Sequence, residues 1–158
     1  MTFQLADRPL PMDKSVSHGR LSNGLEYYIR HNQRPKNRAE LRLVIKVGSI
    51  VEDEDQLGLA HLVEHMAFNG SDNFKARELV EYFESIGMRF GAHLNAHTSP
   101  DETIYKLQIP TDDEEIVQKS FLILRDWASN LIFLPEEIER ERKVALEEWR
   151  QSLGAMSR

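Results

Sequence analysis

The chain has 158 residues, a length that suits one domain with a sizeable hydrophobic core. Hydrophobic residues make up 41% and charged residues 29%, which is typical of a soluble globular fold and argues against a disordered or membrane-spanning chain. A formal net charge of -6 offers no basic surface to nucleic acid. Because the chain has no cysteine, disulfides and thiolate metal sites are excluded, and a bound metal must use histidine, aspartate or glutamate.

The first third of the chain predicts an arm, a hairpin and a strand. Residues 1–17 contain prolines among polar residues and predict an extended arm. Asn23 and Gly24 form a turn signal before an aromatic and β-branched run, which predicts a hairpin. Apolar residues then alternate over 41–47, the period of two expected for a half-buried strand.

The middle of the chain predicts two helices and then two strands. The first helix covers about 56–68, with Asp53, Glu54 and Asp55 at the positive end of its dipole. The second helix covers about 75–86 and stops at a glycine. The two strands run through MRFGAHLNAHT and TIYKLQI, and the turn SPDE separates them.

Two further helices complete the predicted elements. Thr111 and Glu114 predict a capping box for a helix that reaches about Asn130. Pro135 suits the first turn of a last helix through EEIERERKVALEEWRQS. The order of elements predicts an α+β fold in which a mainly antiparallel sheet carries helices packed on one face, a two-layer arrangement.

His61, Glu64 and His65 lie within five positions of the first helix, in the segment HLVEH. At about 100° per residue, the two histidines are about 40° apart and one turn along, with Glu64 on the same side. Two neutral imidazoles at this spacing can bind Zn²⁺, while the carboxylate reaches the metal-bound water as a general base. The alternative, hydrogen-bonded core or surface histidines, is weakened by the i, i+4 pair with a carboxylate beside it.

A catalytic zinc needs a third protein ligand, and the last helix offers glutamates. Ile138, Ala145 and Trp149 define the apolar stripe of that helix. Glu148 lies about 80° from the centre of the stripe and can reach an interior site, whereas Glu147 lies opposite and should be solvated.

Other candidates remain beside Glu148. Glu141 is on the same flank but about 10 Å away along the axis, so one glutamate binds and the other supports it. His93 and His97 are about 13 Å apart on a strand, too far for both to join the first two histidines, and each is a weak candidate. A helix that is merely rich in glutamate and arginine is the alternative without a metal.

Three segments in this order, HLVEH, NAHTSPDETIY and ERERKVALEE, resemble the pitrilysin family of zinc endopeptidases, the inverzincins. GLAHLVEHMAFNGS is especially similar to the large bacterial zinc proteases of that family, and the resemblance runs from about residue 20 to the end. It implies a metalloendopeptidase with one Zn²⁺ bound by His61, His65 and the glutamate seven residues after the one in RER, which is Glu148. Glu64 is then the general base and Glu141 the supporting acid.

Two features depart from the family. The interval from His65 to Glu148 is several residues longer than is usual, which leaves Glu141 as an alternative ligand. Members of the family carry two or four related α/β domains, and this chain covers about the first three quarters of one. Residues 18–158 are therefore expected to be the N-terminal part of a zinc-binding peptidase domain, an incomplete domain of a longer protease.

The resemblance also implies partners. A peptide or small protein substrate adds as a strand beside HLNAHT, with Asn95 and Ala96 as backbone partners. The remaining domains of the protease are expected partners, nucleic acid is not, no membrane span is expected, and a homodimer stays open. The resemblance favours the periplasm, with the cytoplasm as the alternative. Rival functions are a noncatalytic assembly subunit of the same family and a fragment that holds zinc without cleaving peptides.

Overall fold

The computed structural model describes residues 11–156. The chain divides into two compact units, one that reaches Lys36 and one that begins at Asn37. Within the described range, the strands are β1 (Val16–Arg20), β2 (Glu26–Arg30), β3 (Arg38–Ile45), β4 (Leu94–Thr98) and β5 (Thr103–Pro110). The helices are α1 (Leu59–Met66), α2 (Glu78–Ser85), α3 (Glu114–Ser129) and α4 (Pro135–Met156), with a short 3-10 helix at Ser49–Val51.

The first unit is the predicted hairpin. Strands β1 and β2 pair antiparallel, with Arg20 opposite Glu26. At the turn, Gly24 has a φ of 91°, and the side-chain oxygen of Asn23 accepts a hydrogen bond from the Leu25 N–H at 3.1 Å. Glycine takes this positive φ at low cost, and asparagine side chains often close such turns.

Most of the predicted arm, residues 1–10, lies outside the described residues. Its last two residues, Val16 and Ser17, belong to β1. The chain turns into this strand at Asp13, whose carboxylate accepts hydrogen bonds from the N–H of Ser15 at 2.9 Å and from its hydroxyl at 2.8 Å. Any extended arm therefore ends before Val16.

The second unit contains an antiparallel sheet in the order β3-β5-β4. The period-two pattern of β3 is confirmed, since its residues alternate between exposed and half-buried and Leu41 lies opposite Leu107. In β5 the odd-numbered residues from Thr103 to Ile109 are buried and the even-numbered ones are more exposed. The sheet thus buries one face and leaves the other largely open, as the α+β prediction requires.

Helices pack on the buried face through aromatic residues of α3. The ring of Trp127 lies 5.1 Å from that of Tyr105 in β5, and its indole N–H donates to the Ala67 carbonyl just after α1 at 2.8 Å. Both aromatic side chains are almost fully buried. A single buried indole therefore ties the sheet, α1 and α3 together.

Two predicted boundaries were wrong. The strand predicted from Met88 starts only at Leu94, because the chain makes a tight turn at Gly91, whose φ is 81° and whose N–H donates to the Leu94 carbonyl at 2.8 Å. The cap of α3 is Asp113 rather than Thr111. The N–H of Thr111 still bonds the Asn37 carbonyl at 3.1 Å, so it belongs to the end of the sheet.

Among the described residues, none of the helices combines the length and the apolar character needed to cross a membrane.

Candidate metal centre

Helix α1 starts at a sharp turn. Gly58 has a φ of 91°, and the carboxylate of Glu52 accepts hydrogen bonds from the N–H of Gly58 at 2.8 Å and of Ala60 at 2.7 Å. A carboxylate in this position satisfies free amides and favours the positive end of the helix dipole. The prediction that residues 53–55 do so was wrong, since the first turn contains no acidic residue and Glu52 reaches it from outside the helix.

Three donor atoms from α1 and α4 lie close together. His61 Nε2 is 3.2 Å from His65 Nε2, and Glu148 Oε2 is 3.4 Å and 3.5 Å from these two nitrogens. Ligands about 2.0–2.1 Å from a tetrahedral Zn²⁺ are about 3.3 Å apart, so the triangle matches one face of such a site. With two imidazoles and a carboxylate, these residues fit a zinc ion with a fourth position left for water.

The second ring nitrogen of His65 bonds Glu141. Its Nδ1 lies 3.1 Å from Glu141 Oε2, and both side chains are mostly buried. A carboxylate there holds the proton on Nδ1, which leaves the lone pair of Nε2 free in the neutral tautomer. Glu141 is thus placed on the far side of the imidazole, away from the triangle of donor atoms.

Glu64 is only 8% exposed and lies outside that triangle. Its Oε2 accepts a hydrogen bond from the Thr98 hydroxyl at 2.7 Å, at the end of β4. The Thr103 hydroxyl, 3.5 Å from that of Thr98, donates to the Val47 carbonyl at 2.9 Å. Burial raises the pKa of Tyr105, and the negative charge of Glu64 raises it further.

Helix α4 has its glutamates where the sequence predicts them, but its apolar stripe is more exposed than expected. Glu147 pairs with Arg150 at 3.3 Å on the exposed side, as its angular position predicts, and Glu148 is 51% exposed at the rim of the site. Trp149, predicted to lie in the apolar stripe, is 58% exposed. Within the described residues, the main packing partner of α4 is α1, which is too short to cover that stripe.

Strand β4 forms one edge of the three-stranded sheet that the structure describes. Asn95 and Ala96 lie on it, opposite Lys106 and Tyr105 of β5. Both line an open cleft of about 670 Å³ that also contains the two histidines, Glu64, Glu141 and Glu148. His97 lines this cleft without joining the donor triangle, and His93 instead accepts a hydrogen bond from the Arg89 N–H at 3.1 Å.

Sequence reasoning missed four residues around this site. Glu52, Asn69, Thr98 and Arg140 each support a helix or a side chain of the centre. Thr98 lies within the segment that carries the resemblance, so its proximity to Asn95 and Ala96 was the available signal. Asn69 and Arg140 also lie within quoted segments, GLAHLVEHMAFNGS and ERERKVALEE, whereas Glu52 lies outside them. Nothing local reveals the role of these three residues, because it depends on contacts between elements that are distant in sequence.

Comparisons with known proteins show the family to which the chain belongs. Residues 27–156 match the family described as Insulinase (Peptidase family M16). The "Probable zinc protease PqqL" of Haemophilus influenzae is 43% identical over 149 residues, which are 94% of this chain and 16% of that protein. The first half of the periplasmic protease PqqL from Escherichia coli is 42% identical with a TM-score of 0.86, over 90% of this chain and 30% of that chain.

The crystal structure of pitrilysin is 26% identical with a TM-score of 0.71, and the match covers 94% of this chain and 15% of that chain. The chain therefore spans only a small part of these relatives, and the relatives from Haemophilus influenzae and Escherichia coli are both named "Probable zinc protease PqqL". The resemblance drawn from HLVEH and the two later segments is confirmed: this chain belongs to the insulinase family of peptidases, family M16.

Proposed function

We propose that this chain is the zinc-binding part of a metalloendopeptidase in which His61, His65 and Glu148 hold one Zn²⁺. The observation that carries the proposal is the triangle of Nε2, Nε2 and Oε2 atoms, with sides of 3.2, 3.4 and 3.5 Å. An ordinary hydrogen-bonded histidine pair does not need a third, acidic group at equal distance from both nitrogens. The zinc enzymes among the relatives support the choice of metal.

In this mechanism, zinc held by His61, His65 and Glu148 would supply a water of lowered pKa and would polarise the peptide carbonyl. Glu64 would act as the general base, taking a proton from the attacking water, and would then pass that proton to the leaving amine. Its neighbours support this role, because the Thr98 hydroxyl holds Oε2 at 2.7 Å and the side chain is largely shielded from solvent. Glu141 holds His65 in the tautomer that presents Nε2.

The substrate in this proposal is an extended peptide that pairs with the β4 edge through Asn95 and Ala96. The edge position of β4 and its place in the same cleft as the histidines support that arrangement. Pairing through main-chain groups accepts many sequences, so a peptide or small protein substrate with loose sequence preference is expected. Further protease domains would enclose the peptide, in keeping with the greater length of the relatives.

The compartment in this proposal is the periplasm, following the relative from Escherichia coli, and the cytoplasm remains the alternative. A noncatalytic assembly subunit is the rival function. The intact HLVEH segment and the nearby Glu148 favour the peptidase. An assembly role does not require His61, His65 and Glu148 to lie together. A zinc-holding fragment without peptidase activity shares the same metal site and differs only in turnover.

Metal analysis tests the ligand assignment. The purified chain should hold one zinc, and His61→Ala and Glu148→Gln should lower bound zinc well below stoichiometric. Glu147→Gln is the matched control, because it removes a neighbouring charge on the solvated side of the same helix and should leave zinc unchanged. Stoichiometric zinc in both ligand variants would show that the metal is not bound here.

Turnover tests the base and separates the peptidase from its rivals. In an active protease that contains this chain, Glu64→Gln should keep its zinc and lose peptide cleavage by at least about 100-fold, the lower bound for a positioned general base. Retained turnover with full zinc would remove Glu64 from that role. If the unaltered full-length protein binds zinc and cleaves no peptide, the noncatalytic functions are favoured.

A further inference from the structure

A buried amide joins the end of α1 to the second turn of α4. Asn69 is only 8% exposed, and its Nδ2 donates to the His65 carbonyl at 3.0 Å. Its Oδ1 accepts a hydrogen bond from Nη2 of Arg140. The two ends of one amide thus bond one group on each helix. If either contact were lost, a buried polar group would be left without a partner, which is unfavourable.

Arg140 continues this connection back to the metal site. Its Nη1 donates to Glu137 at 3.0 Å, and its Nε approaches Glu141 Oε1 at 3.4 Å. The other oxygen of Glu141 lies 3.1 Å from His65 Nδ1. The contacts therefore form a closed circuit from the His65 carbonyl through Asn69, Arg140 and Glu141 to the His65 ring. We call this circuit the α1–α4 bridge.

Within the part of the chain that the structure describes, α4 packs mainly against α1, and several apolar side chains of its later turns are exposed. At its start, the chain is held by backbone bonds from Asp72 to Asn130 and from Ile132 to Gly70, both at 3.1 Å. Farther along, large apolar side chains of the helix are about half exposed, namely Val144, Trp149 and Leu153. Apolar packing in the described residues therefore does little to set the rotation of α4 about its axis.

Arg140 lies eight residues before Glu148, which is about 12 Å along a helix. Because a helix is stiff over two turns, fixing the direction of the Arg140 side chain also fixes the direction in which Glu148 projects. A guanidinium suits this task, since its planar fork can bond Asn69, Glu137 and Glu141 at once, whereas an ammonium has no such fixed geometry.

We propose that Asn69 and Arg140 are positioning residues of the metal centre. Through the α1–α4 bridge they set the rotation of α4 that brings Glu148 Oε2 to 3.4 Å and 3.5 Å from the two histidine nitrogens. The proposal rests on the zinc site described under Proposed function. It assigns the two residues no contact with zinc or substrate.

Zinc affinity of the purified chain, measured by competition with a chromophoric chelator, tests the proposal. Arg140→Met and Asn69→Ala should each weaken zinc binding by about 10-fold to 100-fold, the usual effect of removing a residue that orients a ligand. Arg140→Lys should fall between Arg140→Met and the unaltered chain. Arg142→Met is the matched control, because Arg142 pairs with the exposed Glu139 on the same helix, and it should change affinity by less than about 2-fold. Unchanged affinity in Arg140→Met and Asn69→Ala would overturn the proposal.

A double-mutant cycle separates positioning from general damage to the fold. In a Glu148→Gln background, Arg140→Met should weaken zinc binding by less than about 3-fold, since the ligand that it positions is already lost. An equal loss with and without Glu148 would overturn the proposal, and circular dichroism of each variant shows whether the helices persist. If His61→Ala and Glu148→Gln also leave zinc unchanged, the proposed metal site fails. If those two lose zinc and Arg140→Met keeps it, only the bridge fails.

Discussion

The carboxylate of Glu64 shows how individual side chains prepare this site. It is buried close enough to Tyr105 to affect the pKa of that phenol, and an isolated charge at such a position would be costly. The Thr98 hydroxyl offsets part of that cost, and it binds one oxygen and so fixes the direction of the other. A general base must point at the proton that it removes, and a carboxylate without this contact could rotate about its last bonds.

Thr98→Val is therefore expected to lower kcat for peptide cleavage by about 10-fold while zinc content and KM stay nearly unchanged. Valine keeps the shape of threonine and removes only the hydroxyl. Steady-state kinetics in an active protease containing this chain, together with metal analysis, measures the effect. Thr98→Ser should restore most of the activity, and a Thr98→Val enzyme with unaltered kcat would contradict the role assigned to the hydroxyl.

At Gly48, close neighbours leave no room for a side chain. A Cβ at this position would lie 2.0 Å from the Ser99 carbonyl oxygen and 2.7 Å from the Pro100 backbone, in the turn that follows Thr98. Gly48→Ala should therefore lower the free energy of unfolding by at least about 1–3 kcal/mol, the usual cost of overpacking. Urea denaturation gives the value, with Ser49→Ala as an exposed neighbour for comparison. Equal stability of the two variants would mean that the turn moves freely.

At the level of elements, the carboxylate of Asp126 in α3 binds the segment that follows α1 through hydrogen bonds to Ser71 and Asn73. Asp126 is almost completely buried and accepts hydrogen bonds from the Ser71 hydroxyl at 2.6 Å and from the Asn73 N–H and side chain at 3.1 Å and 2.9 Å. Charged acceptors make the stronger hydrogen bonds in proteins. The same segment also carries Asn69, so this contact stabilises the loop from which the α1–α4 bridge begins.

Asp126→Asn should lower the free energy of unfolding by about 1.5–3 kcal/mol, because the new amide N–H would face donors that need an acceptor. Chemical denaturation measures the difference. Asp112→Asn, at an exposed position before α3, should change stability by less than about 0.5 kcal/mol. A loss below that limit in Asp126→Asn would show that the loop is held mainly by its backbone bonds to residues 130–132.

For the whole molecule, the pH dependence of stability depends on a buried phenol. Burial raises the pKa of Tyr105 above its ordinary value of about 10, and the charge of Glu64 adds to the effect. The unfolded chain then loses this proton above about pH 10 while the folded chain keeps it. Stability contributed by the neutral phenol is therefore present below pH 10 and falls as pH rises beyond it.

The free energy of unfolding should decline above about pH 10, and Tyr105→Phe should decline less steeply. Comparing slopes between the two proteins removes the contribution of the lysines, which titrate in the same range. Tyr82, whose pKa is also raised by partial burial, leaves a smaller decline of the same sign in Tyr105→Phe. Parallel slopes for both proteins would mean that Tyr105 ionises in the folded chain as readily as in the unfolded one.

Local patterns were sufficient for much of this fold. Residues that are close in sequence predict the alternation in β3, the Asn23-Gly24 hairpin and the presence of the four α-helices. The i, i+4 spacing of the two histidines likewise gives their shared direction before any tertiary contact is known. Boundaries were less predictable, because Gly91 acts through a backbone hydrogen bond and Asp113 through a side-chain cap, and hydrophobic periodicity reveals neither.

By itself, the sequence determined the helix that carries His61, Glu64 and His65 and the family to which the chain belongs. Only the tertiary structure decided that Glu148 rather than Glu141 lies near both Nε2 atoms. It also decided that Glu141 bonds the other ring nitrogen of His65, that Thr98 bonds Glu64, and that Asn69 bonds Arg140. The physical reason is the reach of each interaction. Helical periodicity acts within a few residues, whereas the distance between two helices depends on every packed side chain and hydrogen bond that lies between them.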